Sequence, residues 1–184
     1  MAHVFASMGF EGETMSEAQR RNDETVDEAG LSMLPIRSAG AGDAGVAAGL
    51  LHRFNSEYDE PTPELGALTQ RIGDLLAGGD TEILLAGDEP CGIAVMRFRR
   101  SIWTRGLECY LAELYLTPDR RGRGIGRALM LAAMAAARAR GADYMDLGTS
   151  EDDVAARALY ESLGFDNHEG KPHGPVNYYY ERML

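Results

Sequence analysis

At 184 residues, with 45% apolar and 26% charged side chains, the chain is sized for one domain with a sizeable core. No apolar run approaches the length of a membrane span, and the N-terminus lacks a charged-then-apolar signal pattern, so a cytoplasmic protein without a membrane partner is expected. A net charge of −11 argues against nucleic acid as the main partner and suits a cationic small molecule.

Residues 1–30 carry seven acids against Arg20 and Arg21 and show no sustained apolar period, which predicts an acidic, flexible tail ahead of a single domain over 31–184. Leu31–Ser38 is a first strand, placed at a sheet edge by Pro35. Asp43 can cap a helix running to about Glu57. A polar, proline-closed loop over 55–63 follows. A second helix spans about Pro63–Ala77 and stops at Gly78-Gly79. Strands at about 81–87 and 90–100 form an antiparallel hairpin. The next strand, Leu107–Thr117, ends at Pro118. A helix from about Gly124 to Arg140 stops at Gly141, and Tyr144–Leu147 is a short strand parallel to the previous one. Asp152 or Asp153 opens a helix that ends at Leu163-Gly164. Phe165 onward and Val176–Met183 read as closing strands. Cys91 and Cys109 fall within strands as buried thiols, and no spacing suggests a metal.

Between strand and helix lies Arg121-Gly122-Arg123-Gly124-Ile125-Gly126-Arg127. Glycines admit a ligand close to the backbone, and the N–H groups of a helix start attract an anion. A nucleoside-triphosphate loop needs a lysine, and the only one in the chain is Lys171. A dinucleotide fingerprint puts its third glycine at Arg127 or Leu129, so neither register fits.

The segment Arg121–Gly126 matches R/Q-x-x-G-x-G/A, the signature of the GNAT N-acetyltransferase superfamily. Ala156-Arg157-Ala158-Leu159-Tyr160-Glu161-Ser162-Leu163-Gly164-Phe165 resembles that family's second motif, A-x-x-L-Y-x-x-x-G-F. The strand order over about 31–184 is similar as well. The resemblance implies an α/β fold with a mixed, mostly antiparallel central sheet, a splayed parallel strand pair and flanking helices. It also implies acetyl-CoA held by the amides of residues 122–127, by Arg121, Arg123 and Arg127, by Ile125, and along Leu114, Tyr115 and Leu116.

Acetyl transfer to an amine requires removal of a proton, because an alkylamine is protonated at neutral pH. Glu113 is the first candidate for the base, against a structural ion pair or a solvated position. Tyr160 matches the family tyrosine expected as the general acid that donates to the departing thiolate; its other reading is a core aromatic between Leu159 and Leu163. Asp153 stands where many relatives carry an asparagine on the pantetheine arm, and a helix cap is its competing role. Glu57, Tyr58 and Asp59 lie on the loop that borders the family's acceptor site, against a plain solvated loop. The loop 168–180, with His168 and His173, either walls the acceptor pocket or forms a dimer contact, and a homodimer is consistent with the resemblance. The function implied is direct transfer to a polyamine, an aminoglycoside-like compound or an amino-acid derivative. A peptide or protein amine and a non-catalytic acyl-CoA sensor are the alternatives.

Overall fold

In a computed structural model, residues 34–169 and 174–183 are described. They form β1 (Ile36–Ser38), α1 (Ala44–Glu57), α2 (Leu65–Gly78), β2 (Thr81–Ala86) and β3 (Gly92–Arg100). After these come β4 (Leu107–Leu116), α3 (Ile125–Ala139), β5 (Ala142–Leu147) and α4 (Val154–Ser162), with 3-10 turns at Ala41–Asp43 and Pro118–Arg120. The sheet order is β1-β2-β3-β4-β5. Neighbours are antiparallel except β4 and β5, which are parallel and joined through α3. The mixed sheet expected from the motifs is therefore present. No helix among the described residues is long and apolar enough to cross a membrane.

Strand alternation distributes the apolar residues into two cores. Ile83, Leu85, Ile93, Val95 and Tyr115 pack under α1 and α2 with Ala47, Ala48 and Ile72. Leu84, Ala94, Met96, Phe98, Cys109 and Leu111 face α3 and α4, against Leu129, Met130, Ala133 and Tyr160. Burying a side chain such as Leu129 or Met130 contributes about 1.5–3 kcal/mol, and both are fully buried.

The β4–β5 ladder stops at Leu111 and Leu147, yet β4 continues to Leu116. β5 ends there, so the last residues of β4, Ala112–Leu116, have no parallel neighbour. The β3–β4 register jumps at the same place: Met96 pairs with Leu111 and Val95 with Glu113, leaving Ala112 as a bulge. A bulge bends its strand and increases the local twist, and it sits where β4 runs on past the end of β5. Thr117 N–H donates to Cys91 O on the β3 side. By alternation, the N–H groups of Leu114 and Leu116 face the open side.

Some boundaries differ from the sequence reading. The described part of the first strand is Ile36–Ser38, and 31–33 lie outside the described residues, as does the tail 1–30. Asp43 does not cap α1 with its side chain. Its carboxylate turns back to Arg37 and to the Gly40 N–H, because a 3-10 turn precedes the helix. Glu64, rather than Pro63, starts α2, accepting from the Gly66 N–H. β5 begins at Ala142, before Tyr144.

The closing strands are the larger correction. Described residues after Phe165 make one isolated bridge, His168 to Val176, and do not join the sheet. β-propensity alone does not create a strand without a paired edge, and Pro175 removes a donor at the start of the aromatic run.

Candidate active site

The turn between β4 and α3 is built for an anion. Gly122 and Gly124 have φ of 72° and 78°. This is the left-handed region that side-chain-bearing residues disfavour. A Cβ at either position would meet nothing within 4 Å, so open space rather than packing lies over the turn. The N–H groups from Gly122 to Arg127 have no acceptor among the described residues. They open α3, whose dipole adds positive potential. A pyrophosphate fits this donor set.

The three arginines expected at the cofactor separate. Arg121 is held by Glu57 through Nη1–Oε1 at 2.6 Å and Nη2–Oε2 at 2.9 Å, while its Nε donates to Leu116 O at 3.1 Å. Arg127 donates to Ser162 Oγ at 3.0 Å, tying α3 to α4. Arg123 makes no hydrogen bond or ion pair with a described residue, and of the three it is the least engaged, its charge acting only at longer range on Asp119.

The two motifs meet at Gly126. A Cβ there would lie 3.4 Å from Leu116 Cδ1 and 3.6 Å from Leu159 Cδ2, so the end of β4, the start of α3 and α4 converge on a position without a side chain. Asp153 accepts from the Ala156 N–H at 3.0 Å and is the N-cap of α4. Tyr160 is buried, with its ring 6.1 Å from that of Phe165. Burial, and then the Asp153 carboxylate, push its hydroxyl up to about 12.

Glu113 lies on the other face. Its register partner Val95 belongs to the α1–α2 core, whereas Tyr160 belongs to the α3–α4 core. The sheet thus has a carboxylate on one face and a phenol on the other. Burial raises the Glu113 pKa above the usual carboxylate range.

Tyr110 escaped the sequence reading. It is in register with Arg97 on β3 and Asp146 on β5, and Tyr179 lies beside its hydroxyl. Burial is the main cause of its raised pKa. Glu108, Tyr110 and Glu113 form a polar row opposite Leu107, Cys109 and Leu111 on β4. The two-residue alternation of that strand was the signal that could have found Tyr110. Cys109 is unsuited to nucleophilic attack, since burial lifts its thiol to about 12.

Of the acceptor-loop candidates, Glu57 is committed to Arg121. Tyr58 is 56% exposed and its ring meets Phe54 edge-on at 5.4 Å. Asp59 has φ 56°, a conformation that aspartate tolerates better than most residues. A cavity of about 400 Å³ opens beside this region, lined by Arg53, Pro90, Tyr115, Pro118 and Arg120 among others.

A family model described as Acetyltransferase (GNAT) family matches residues 49–165. Mycothiol acetyltransferase of Beutenbergia cavernae is 32% identical over 152 residues, which is 76% of this chain and 49% of the relative. Aminoglycoside N(6')-acetyltransferase type 1 of Stenotrophomonas maltophilia is 32% identical over 139 residues, 73% of this chain and 87% of that protein. The chain therefore spans about half the length of the first relative and most of the second. A crystal structure from Arthrobacter sp. FB24, described as an acetyltransferase, has a TM-score of 0.76 at 39% identity, over 85% of this chain and 100% of that one.

Proposed function

The chain belongs to the GNAT acetyltransferase family, and from that premise we propose that it transfers an acetyl group from acetyl-CoA to the primary amine of a small cationic acceptor. The observation that carries this reading is the junction of two unpaired donor sets: the amides of Gly122–Arg127 and the open-side N–H groups of β4. The first suits a pyrophosphate and the second an extended amide-bearing arm, which would lie on β4 as an added strand does.

Bound acetyl-CoA supplies a thioester, an acyl group activated toward an amine. Gly122–Arg127 and Arg123 would hold its phosphates, and Leu114–Leu116 its arm. Glu113 accepts the proton of the acceptor ammonium, directly or through water. Its raised pKa narrows the gap to the amine and improves it as a base. The Leu116 N–H is a preorganised donor for an oxygen that gains charge.

Tyr160 stays protonated. A phenol near 12 does not surrender its proton to a thiolate whose ordinary pKa is about 8.5. Its contribution is a hydrogen bond to the leaving sulfur. With Cys109 inert, transfer is direct, in a complex of both substrates.

The acceptor class rests on the Glu113 carboxylate of β4 and on relatives named for aminoglycoside and mycothiol acetylation. Polyamines, aminoglycosides and lysine-like amino acids form the test panel, with free-thiol release as the readout. At least one should turn over with release of one thiol per acetylated amine. Tight acetyl-CoA binding with no turnover of any of these or of a peptide amine would instead favour an acyl-CoA sensor.

A further inference from the structure

Glu57 and Arg121 were expected at different ligands, and the fold joins them. The geometry points to Glu57 as a positioning residue: acting through Arg121, it straps the acceptor loop to the cofactor turn, so that the two move as one unit. This inference rests on the acetyl-transfer reading and assigns Glu57 a role other than contact with the acceptor.

The strap has three ties. The Glu57 carboxylate takes both terminal nitrogens of Arg121, at 2.6 and 2.9 Å. A fork of this kind fixes orientation as well as charge. Arg121 Nε reaches the Leu116 carbonyl at 3.1 Å, the last residue of β4. Beneath them, Phe54 of α1 stacks on Tyr115 of β4 at 5.1 Å, and the Arg121 guanidinium stands 5.7 Å from the Tyr115 ring centre. Glu57 is the last residue of α1, and Tyr58 and Asp59 follow it directly. Arg121 immediately precedes Gly122. A shift at either end is therefore transmitted through one ion pair.

The electrostatics support the same assignment. Arg121 is neutralised by Glu57, and three of its nitrogens already have acceptors, so it brings little free charge to a phosphate. Arg123 retains that capacity. If Arg121 were instead a phosphate ligand masked by Glu57, removing the Glu57 charge would strengthen cofactor binding.

The test measures acetyl-CoA affinity by calorimetry, acceptor KM at saturating acetyl-CoA, and melting temperature, for wild type, E57Q, R121Q and E57Q/R121Q. Each single substitution is expected to raise acceptor KM by about fivefold, with kcat much less affected, as a partly exposed ion pair allows. The double variant should be no worse than either single one, because the pair acts as a unit. E57Q should not tighten acetyl-CoA. Additive effects on acceptor KM would overturn the strap and make Glu57 a direct acceptor contact. Tighter acetyl-CoA binding by E57Q would overturn it in favour of a masked phosphate ligand. A fall in melting temperature with acceptor KM unchanged would reduce the pair to a structural tie. Failure of the wild type to bind acetyl-CoA is a separate result, and it removes the acetyl-transfer reading itself.

Discussion

Replacing Gly124 with alanine separates a binding turn from a packing turn. The residue sits at φ 78°, and an added Cβ would meet no atom within 4 Å. Steric overlap with the rest of the protein is therefore absent, and the loss is conformational, about 1–2 kcal/mol for an L-residue in the left-handed region. For a chain of this length that corresponds to a fall in melting temperature of roughly 2–8 °C. The Cβ would also project into the open space where a phosphate must approach. Loss of one amide contact to a charged group costs about 1.5–3 kcal/mol, or about ten- to hundredfold in affinity. G124A should thus lose acetyl-CoA affinity by more than its loss of fold stability accounts for. Calorimetric titration of the folded variant beside its thermal melt measures both. A melt shifted as expected with unchanged acetyl-CoA affinity would refute the cradle. An unshifted melt would refute the left-handed geometry.

E113Q should lower kcat by about 10²-fold or more, the usual contribution of a general base, and remove the acidic limb of the pH–rate profile. Its stability effect has a defined sign. Burial raises the folded-state pKa of Glu113, so its protonated form favours the fold. That stability is fully present below the unfolded pKa and is lost as pH rises through the folded one. E113Q should therefore melt higher than wild type at neutral pH, with the difference shrinking in acid. Y160F should keep acetyl-CoA affinity and lose about ten- to hundredfold in kcat if the hydroxyl serves the leaving sulfur as a hydrogen-bond donor to charge; unaltered turnover leaves Tyr160 a core aromatic. G92A is a packing test: its Cβ would overlap Leu116 Cδ2 beside the β3–β4 ladder. Overpacking of this kind costs about 1–3 kcal/mol, read as a lower denaturation midpoint. Displacement of Leu116 should weaken acetyl-CoA binding as well.

The spacing of Gly122, Gly124 and Gly126 between a strand and a helix was legible because each element is local: alternation, a proline stop, a helix start. The Tyr160 motif was legible for the same reason. The closing strands were not, because Val176–Met183 has strand-like residues but a strand exists only with a partner edge. The roles of Glu57 and Arg121 were hidden too, since they lie 64 residues apart and meet only when the end of α1 reaches the end of β4. Tyr110 is marked only by the alternation along β4, because it belongs to neither of the two motifs.

By itself the sequence determined the sheet-and-helix order as far as Phe165, the glycine turn and the family resemblance, since these follow from short-range patterns of backbone freedom and apolar period. Only the tertiary structure decided that β4 runs on past β5 from the Ala112 bulge and that Glu113 and Tyr160 belong to opposite faces of the sheet. It also decided which arginine keeps its charge for a ligand. Those outcomes depend on register and on contacts between distant segments, which no local pattern encodes.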